Sequence, residues 1–155
     1  MARKHPSEFG FELGVAFSVA LDGVCSSPVI APRAKSVADV VYVAWLVGPE
    51  SALKVGLSSP PLWTRWSGIV RVMNADPTRV RLRANEWNDK QRLLAASRGH
   101  AIEVWFKPAE KAEITYASDE GFGSVSLAAS EERFLYWYYA PSFGKALGSR
   151  SENLT

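Results

Sequence analysis

The chain has 155 residues and a mass of 17.0 kDa, enough for one domain with a real core and too few for two domains of ordinary size. Hydrophobic residues make up 47% of it and charged residues 22%, the balance of a folded globular protein rather than a disordered tail. A net charge of +2 selects no polyanionic partner by itself, and the single cysteine, Cys25, excludes an internal disulfide or a cysteine metal cluster.

Residues 1–36 read as an N-terminal extension. A polar start, Met1-Ala2-Arg3-Lys4-His5, leads to an alternating apolar run from Phe9 to Leu21 that Glu12 interrupts, and the extension is expected to add a strand or a helix. That run falls short of the roughly 20 unbroken apolar residues of a membrane span, and its flanks fit a secretion signal poorly, so the expected location is the cytoplasm. Ser26-Ser27-Pro28 and Ala31-Pro32-Arg33 are loop signals, and Cys25 is expected to be buried or half-buried.

From Val37 to Leu46 the chain is rich in Val and Tyr and predicts a strand, as does Ala52 to Leu57, with Gly48-Pro49-Glu50-Ser51 turning between them as a hairpin. Pro61 suits the first turn of a helix over Leu62 to Val72, which Asn74-Ala75-Asp76-Pro77 breaks. Thr78-Arg79-Val80-Arg81-Leu82-Arg83 alternates. If extended, it sets Arg79, Arg81 and Arg83 on one face, either as a row for phosphates or as an ordinary solvated surface. Arg71, Lys90, Arg92 and Arg98 crowd the same region.

Asn85 to Ser97 predicts a helix stopped at Gly99, and Ala101 to Phe106 alternates like a strand ending at Pro108. Ile114-Thr115-Tyr116 is a short strand or a loop. Ser124 or Ser126 caps a last helix through Leu127, Ala128, Glu131, Leu135, Tyr138 and Tyr139, which Pro141 ends before a polar tail, 149–155. The expected fold is α/β in the α+β sense: a small antiparallel or mixed three-stranded sheet flanked by helices in a domain spanning 37–148.

In this order the elements resemble the GIY-YIG nuclease superfamily. Val40-Val41-Tyr42 occupies the place of the first motif, Gly-Ile-Tyr, and Lys54-Val55-Gly56 that of Tyr-Ile-Gly, for which one branch of the superfamily has Lys-Ile-Gly. Leu62-Trp63-Thr64-Arg65 fits the leucine and arginine that open the first helix. Glu132, with Leu135 at +3 and Pro141 at +9, fits the helical glutamate in a register that Glu131 lacks. The matches span about residues 37–146. The departures are Val40 for the first glycine, Ile69 where many members have a tyrosine or histidine, and Gly144 for an asparagine.

The resemblance implies a metal-dependent endonuclease acting on DNA phosphodiesters through Tyr42, Lys54, Arg65 and Glu132. Glu132 would hold Mg²⁺ or Mn²⁺, Arg65 would grip phosphate oxygens, and Tyr42 would act as general base or position the water. Basicity in Tyr42 requires nearby positive charge, which Lys54 and Arg65 are placed to supply. Arg71, Arg79, Arg81 and Arg83 are the candidate nucleic-acid contacts, with Trp63 and Trp66 as candidate stacking residues. Trp105 and Trp137 read as packing aromatics. His100 has no partner histidine at metal-ligand spacing. The alternatives are a nucleic-acid-binding module of the same fold without turnover, and a protein-interaction domain forming a homodimer or binding a partner protein.

Overall fold

A computed structural model describes residues 3–76, 78–115 and 122–142. Its centre is a five-stranded, wholly antiparallel sheet in the spatial order β2-β1-β5-β3-β4. The strands are β1 (Glu12–Ser18), β2 (Val29–Ile30), β3 (Val40–Val47), β4 (Ser51–Ser58) and β5 (Ala101–Pro108). Helices α2 (Leu62–Asn74) and α3 (Ala84–Ser97) follow β4 in the chain, and α1 (Pro32–Ser36) precedes β3. A second hairpin, β6 (Lys111–Thr115) with β7 (Phe122–Ser126), leads into the last helix, α4 (Ala128–Tyr139).

The sequence of β3 explains the layering. Its residues Val40 to Leu46 are all buried, because both faces of this strand are covered and an alternating polar pattern has no place there. Val40, Tyr42, Ala44 and Leu46 pack with Leu62, Trp66, Val70 and Met73 of α2 and with Leu93 and Leu94 of α3. Val41, Val43 and Trp45 face the other way and meet Ala128, Leu135 and Tyr139 of α4. Successive side chains on a strand alternate faces, so β3 alone divides the molecule into an α2/α3 layer and an α4 layer.

The expected sheet of three strands has five, because the run after Phe9 joins it as β1 and Val29–Ile30 joins it as β2. Glu12–Ser18 pairs along β5 from Glu12↔Phe106 to Ser18↔Ala101, and its buried residues Val15 and Phe17 belong to the main core. Burying these side chains requires the strand to be in the sheet, and an extension apart from the domain would leave them in water. The segment before β1 is tied down as well. Arg3 Nε donates to the Tyr138 carbonyl at 2.9 Å, Lys4 N donates to Tyr138 Oη at 2.8 Å, and Tyr139 Oη donates to the Lys4 carbonyl at 2.7 Å. The His5 ring stands edge-on to Trp45 and Trp105.

The predicted helices and strands from β3 to β5 are present in order. Gly99 follows α3 with φ +80°, the left-handed conformation that ends a helix cheaply only at glycine. Ile114 lies in β6, and Tyr116 lies outside the described residues. Ser126 stands one residue before the α4 N-cap, Leu127, and its Oγ accepts from the Ala128 amide at 3.2 Å. The arginine-rich segment Thr78–Arg83 forms turn and coil between α2 and α3 rather than a strand, so its alternation creates no shared arginine face. It pairs locally instead, with Arg79 on Asp76 and Arg83 on Glu86.

Lys90, one of the residues in that basic region, is structural. It is buried, and its Nζ donates to the carbonyls of Met73 and Ala75, both at 2.7 Å, and reaches that of Val72 at 3.5 Å. Val72 also accepts from the Ala75 amide, but the carbonyls of Met73 and Ala75 are left over at the end of α2, and one ammonium satisfies them and opposes the negative end of the helix dipole.

Candidate active site

The hairpin of β3 and β4 sets the first three residues. Tyr42 lies opposite Gly56 and Ala44 opposite Lys54. Directly opposed residues of an antiparallel pair share a face, so Tyr42, Lys54 and Gly56 all belong to the α2/α3 side. Lys54 therefore stands with Tyr42 instead of on the far face, and it is half-buried.

The Tyr42 ring lies directly over Gly56. A β-carbon at Gly56 would come within 2.4 Å of Tyr42 Oη and 2.5 Å of Cζ, a clash that any side chain there would create. Because β4 is the last strand of the sheet, the glycine lets the phenol pass across it toward the sheet's free edge. Trp66 holds the ring from above, edge-on at 5.8 Å between centroids, and Tyr42 is only 2% exposed.

Helix α2 brings Arg65. Leu62 and Trp66, one turn apart, are fully buried and fix the start of the helix on the sheet. The adjoining stripe, Arg65, Gly68, Ile69 and Val72, borders a cleft of about 320 Å³ between α2, β4 and the first turns of α3. Tyr42, Lys54 and Arg65 line it together, as do Arg71, Arg83 and Glu86.

Glu132 approaches from the opposite layer, on α4, which packs on β4 and β3 with Leu135 and Tyr139 buried. It is half-buried, and both it and Arg65 act electrostatically on the Tyr42 hydroxyl. Its neighbour Glu131 is already committed, paired with Lys107 and accepting from the Glu110 amide.

Burial pushes the Tyr42 pKa well above the ordinary phenol value, with Arg65 pulling it down by less and Glu132 adding to the rise. Of the two roles the resemblance implies for Tyr42, general base and positioner of the water, the first requires positive charge from Lys54 and Arg65. In the folded chain desolvation outweighs that charge, and Tyr42 remains a protonated hydroxyl at neutral pH.

The other predicted contacts are spread out. Arg71 Nη2 and Arg83 Nε both bind Glu86, each at 3.2 Å, at the outer end of the cleft. Arg79 and Arg81 are exposed in the α2–α3 connection. Trp63 is half-buried against the core. Trp66 is corrected from a stacking candidate to a core residue, because it is fully buried against Tyr42 and Phe17 and has no face open to a base. Trp137, expected in the packing, is 74% exposed on α4.

Among the described residues no group of three or more His, Cys, Asp and Glu is placed to hold a metal ion. One carboxylate is nonetheless a sufficient protein ligand for Mg²⁺, which keeps most of its waters and is commonly completed by substrate phosphate. Glu132 beside a cationic cleft fits that mode and does not fit an all-protein cage.

No protein-family model and no curated protein matches the sequence. Among solved structures the chain is similar to a mutant of bacteriophage T4 EndoII, at 12% identity and a TM-score of 0.57, covering 89% of this chain and 94% of that one. It also aligns with restriction endonuclease HPY188I in complex with product DNA, at 15% identity and a TM-score of 0.48, over 86% of this chain and 78% of that one. At 12% identity the T4 EndoII likeness is one of fold: an antiparallel sheet with helices on both faces.

Proposed function

We propose that this chain is a divalent-metal-dependent endonuclease of the GIY-YIG type that hydrolyses DNA phosphodiester bonds. The observation that carries the reading is the meeting of Tyr42, Lys54 and Arg65 in one cleft, with Glu132 acting on the same phenol from across the edge strand. Its fold-level support is the likeness to T4 EndoII over nearly the whole of both chains.

In hydrolysis a water oxygen forms a new bond to phosphorus, the P–O3′ bond breaks, and the departing oxygen takes up a proton. Arg65 presents two donors to the non-bridging phosphoryl oxygens, and Lys54 adds a second positive charge. Glu132 would hold Mg²⁺ or Mn²⁺, which when bound supplies charge against those oxygens and an acidified water. The protonated Tyr42 hydroxyl orients the attacking water by hydrogen bonding and takes no proton from it. In this division the cation that Glu132 would hold would supply the acidified water, whose proton would pass to solvent, and the phenol orients it.

The test is incubation of plasmid and single-stranded DNA with Mg²⁺, with Mn²⁺ and with EDTA, in parallel with Glu132→Gln and Arg65→Ala. Cleavage that needs the cation and falls about a hundredfold in either variant, with unchanged circular dichroism, is the expected result. Wild-type rates in Glu132→Gln would overturn the site.

The second reading, a nucleic-acid-binding module without turnover, draws on Val40 and Ile69 in place of the family's glycine and its tyrosine or histidine. It predicts salt-sensitive binding and no cleavage with any cation.

A further inference from the structure

Gly68 sits in the middle of α2, where glycine is less stable than alanine by roughly 1 kcal/mol. Internal packing does not explain it, since a β-carbon added there meets no atom within 4 Å. What it does border is the cleft. The missing side chain keeps cleft space empty at a cost to the helix, which is reasonable if something else occupies that space.

The charges of the cleft show what kind of group that is. The inner end carries Lys54 and Arg65 and suits a phosphate. At the outer end Arg71 and Arg83 are matched by Glu86, which binds both, and the further carboxylate of Asp89 leaves no surplus of positive charge for a second phosphate. Asp89 and Asn85, one turn apart on α3, both line the cleft and are exposed. Neither side chain has a hydrogen bond or ion pair among the described residues. Between the two ends lie the apolar edges of Ile69 and Val72.

We infer that the α2–α3 end of the cleft is a nucleobase subsite: it takes the base beside the scissile phosphate, with Asn85 and Asp89 reading an exocyclic amino group over a floor kept open by Gly68. A carboxylate acceptor beside an amide, flanked by apolar walls, is the donor and acceptor set that selects adenine or cytosine over thymine. The size agrees, because about 320 Å³ lies at the low end of small-molecule sites, roughly 300–1,000 Å³, and has no room for a duplex. A single nucleotide unpaired from its partner strand is the occupant that fits. This inference rests on the nuclease reading and specifies which part of the substrate that site holds.

The experiment compares binding and cleavage of single-stranded poly(dA), poly(dC) and poly(dT) by the full chain and by Gly68→Val, Asn85→Ala and Asp89→Ala. The wild type is expected to favour the adenine or cytosine strand over thymine by roughly tenfold, and the α3 variants to reduce that preference to near parity. Gly68→Val is expected to weaken binding of all three strands while retaining a cooperative thermal transition. A Gly68→Ala control should melt a few degrees higher than the wild type and also bind less tightly. If the wild type cleaves DNA but Asn85→Ala and Asp89→Ala leave its base preference unchanged, the subsite is wrong and the nuclease reading stands. If the wild type neither binds nor cleaves any strand, both fail together.

Discussion

Tyr42 and Gly56 act as one unit, a phenol and the absence of a side chain beneath it. Gly56→Ala forces the ring off the strand and is expected to lower stability by about 2 kcal/mol through overpacking, read from the urea midpoint. DNA cleavage should be lost with it. Tyr42→Phe removes only the hydroxyl and should keep the fold while slowing cleavage about a hundredfold. Because burial raises the Tyr42 pKa, the hydroxyl stays protonated across neutral pH, and the pH–rate profiles of wild type and Tyr42→Phe should run parallel from pH ~6 to ~9. Stability gives the matching sign. Up to about pH 10 the phenol is protonated in both folded and unfolded chains, and above it only the unfolded chain loses the proton, so stability falls as pH rises further. Tyr139, also raised by burial, adds to that fall. The decline in melting temperature above pH 10 should be shallower in Tyr42→Phe. The direct opposition of Tyr42 and Gly56 depends on a register shift between Ala44 and Trp45, but the placement of Tyr42 on a strand paired with that of Gly56 was legible in the hairpin. Its protonation was not, because desolvation depends on α2 and Trp66 closing over the ring, which strand pattern alone does not reveal.

At the scale of elements, strands and helices from β3 to β5 were readable because each carries its own punctuation: Pro61 before α2, Gly99 after α3, Pro108 at the end of β5. The run before them was harder. Leu13 and Val15 are separated by a register shift in the β1–β5 pairing, so the strict alternation that marks a half-buried strand is broken there. Thr78–Arg83 misled in the opposite way, alternating without a partner strand to pair with. Lys90 was read with the arginines because a lysine on a helix is usually solvated, and only the end of α2 packed beneath it explains its burial. Lys90→Met should therefore destabilise the fold by about 2 kcal/mol, by stranding the carbonyls of Met73 and Ala75. The same substitution should leave the salt dependence of DNA binding unchanged, because the ammonium faces α2 and not the substrate. Arg65→Ala should reduce that dependence.

The described molecule is a five-stranded sheet with a helical layer on each face and a separate two-stranded hairpin, and among its described residues no helix is long and apolar enough to cross a membrane. Its integrity includes the N-terminal segment. Deleting residues 1–36 removes β1 and exposes one side of β5, along with the core partners of Val15 and Phe17. The shortened chain is expected to show no cooperative melting transition by circular dichroism, whereas a separable extension would leave the transition in place. Lys90 has one more consequence at this scale. It fastens the end of α2 to α3, and those two helices are the walls of the cleft, so at that end the walls cannot part without stranding the carbonyls of Met73 and Ala75. Any widening to admit a strand is therefore resisted at the end of the cleft that this amine holds.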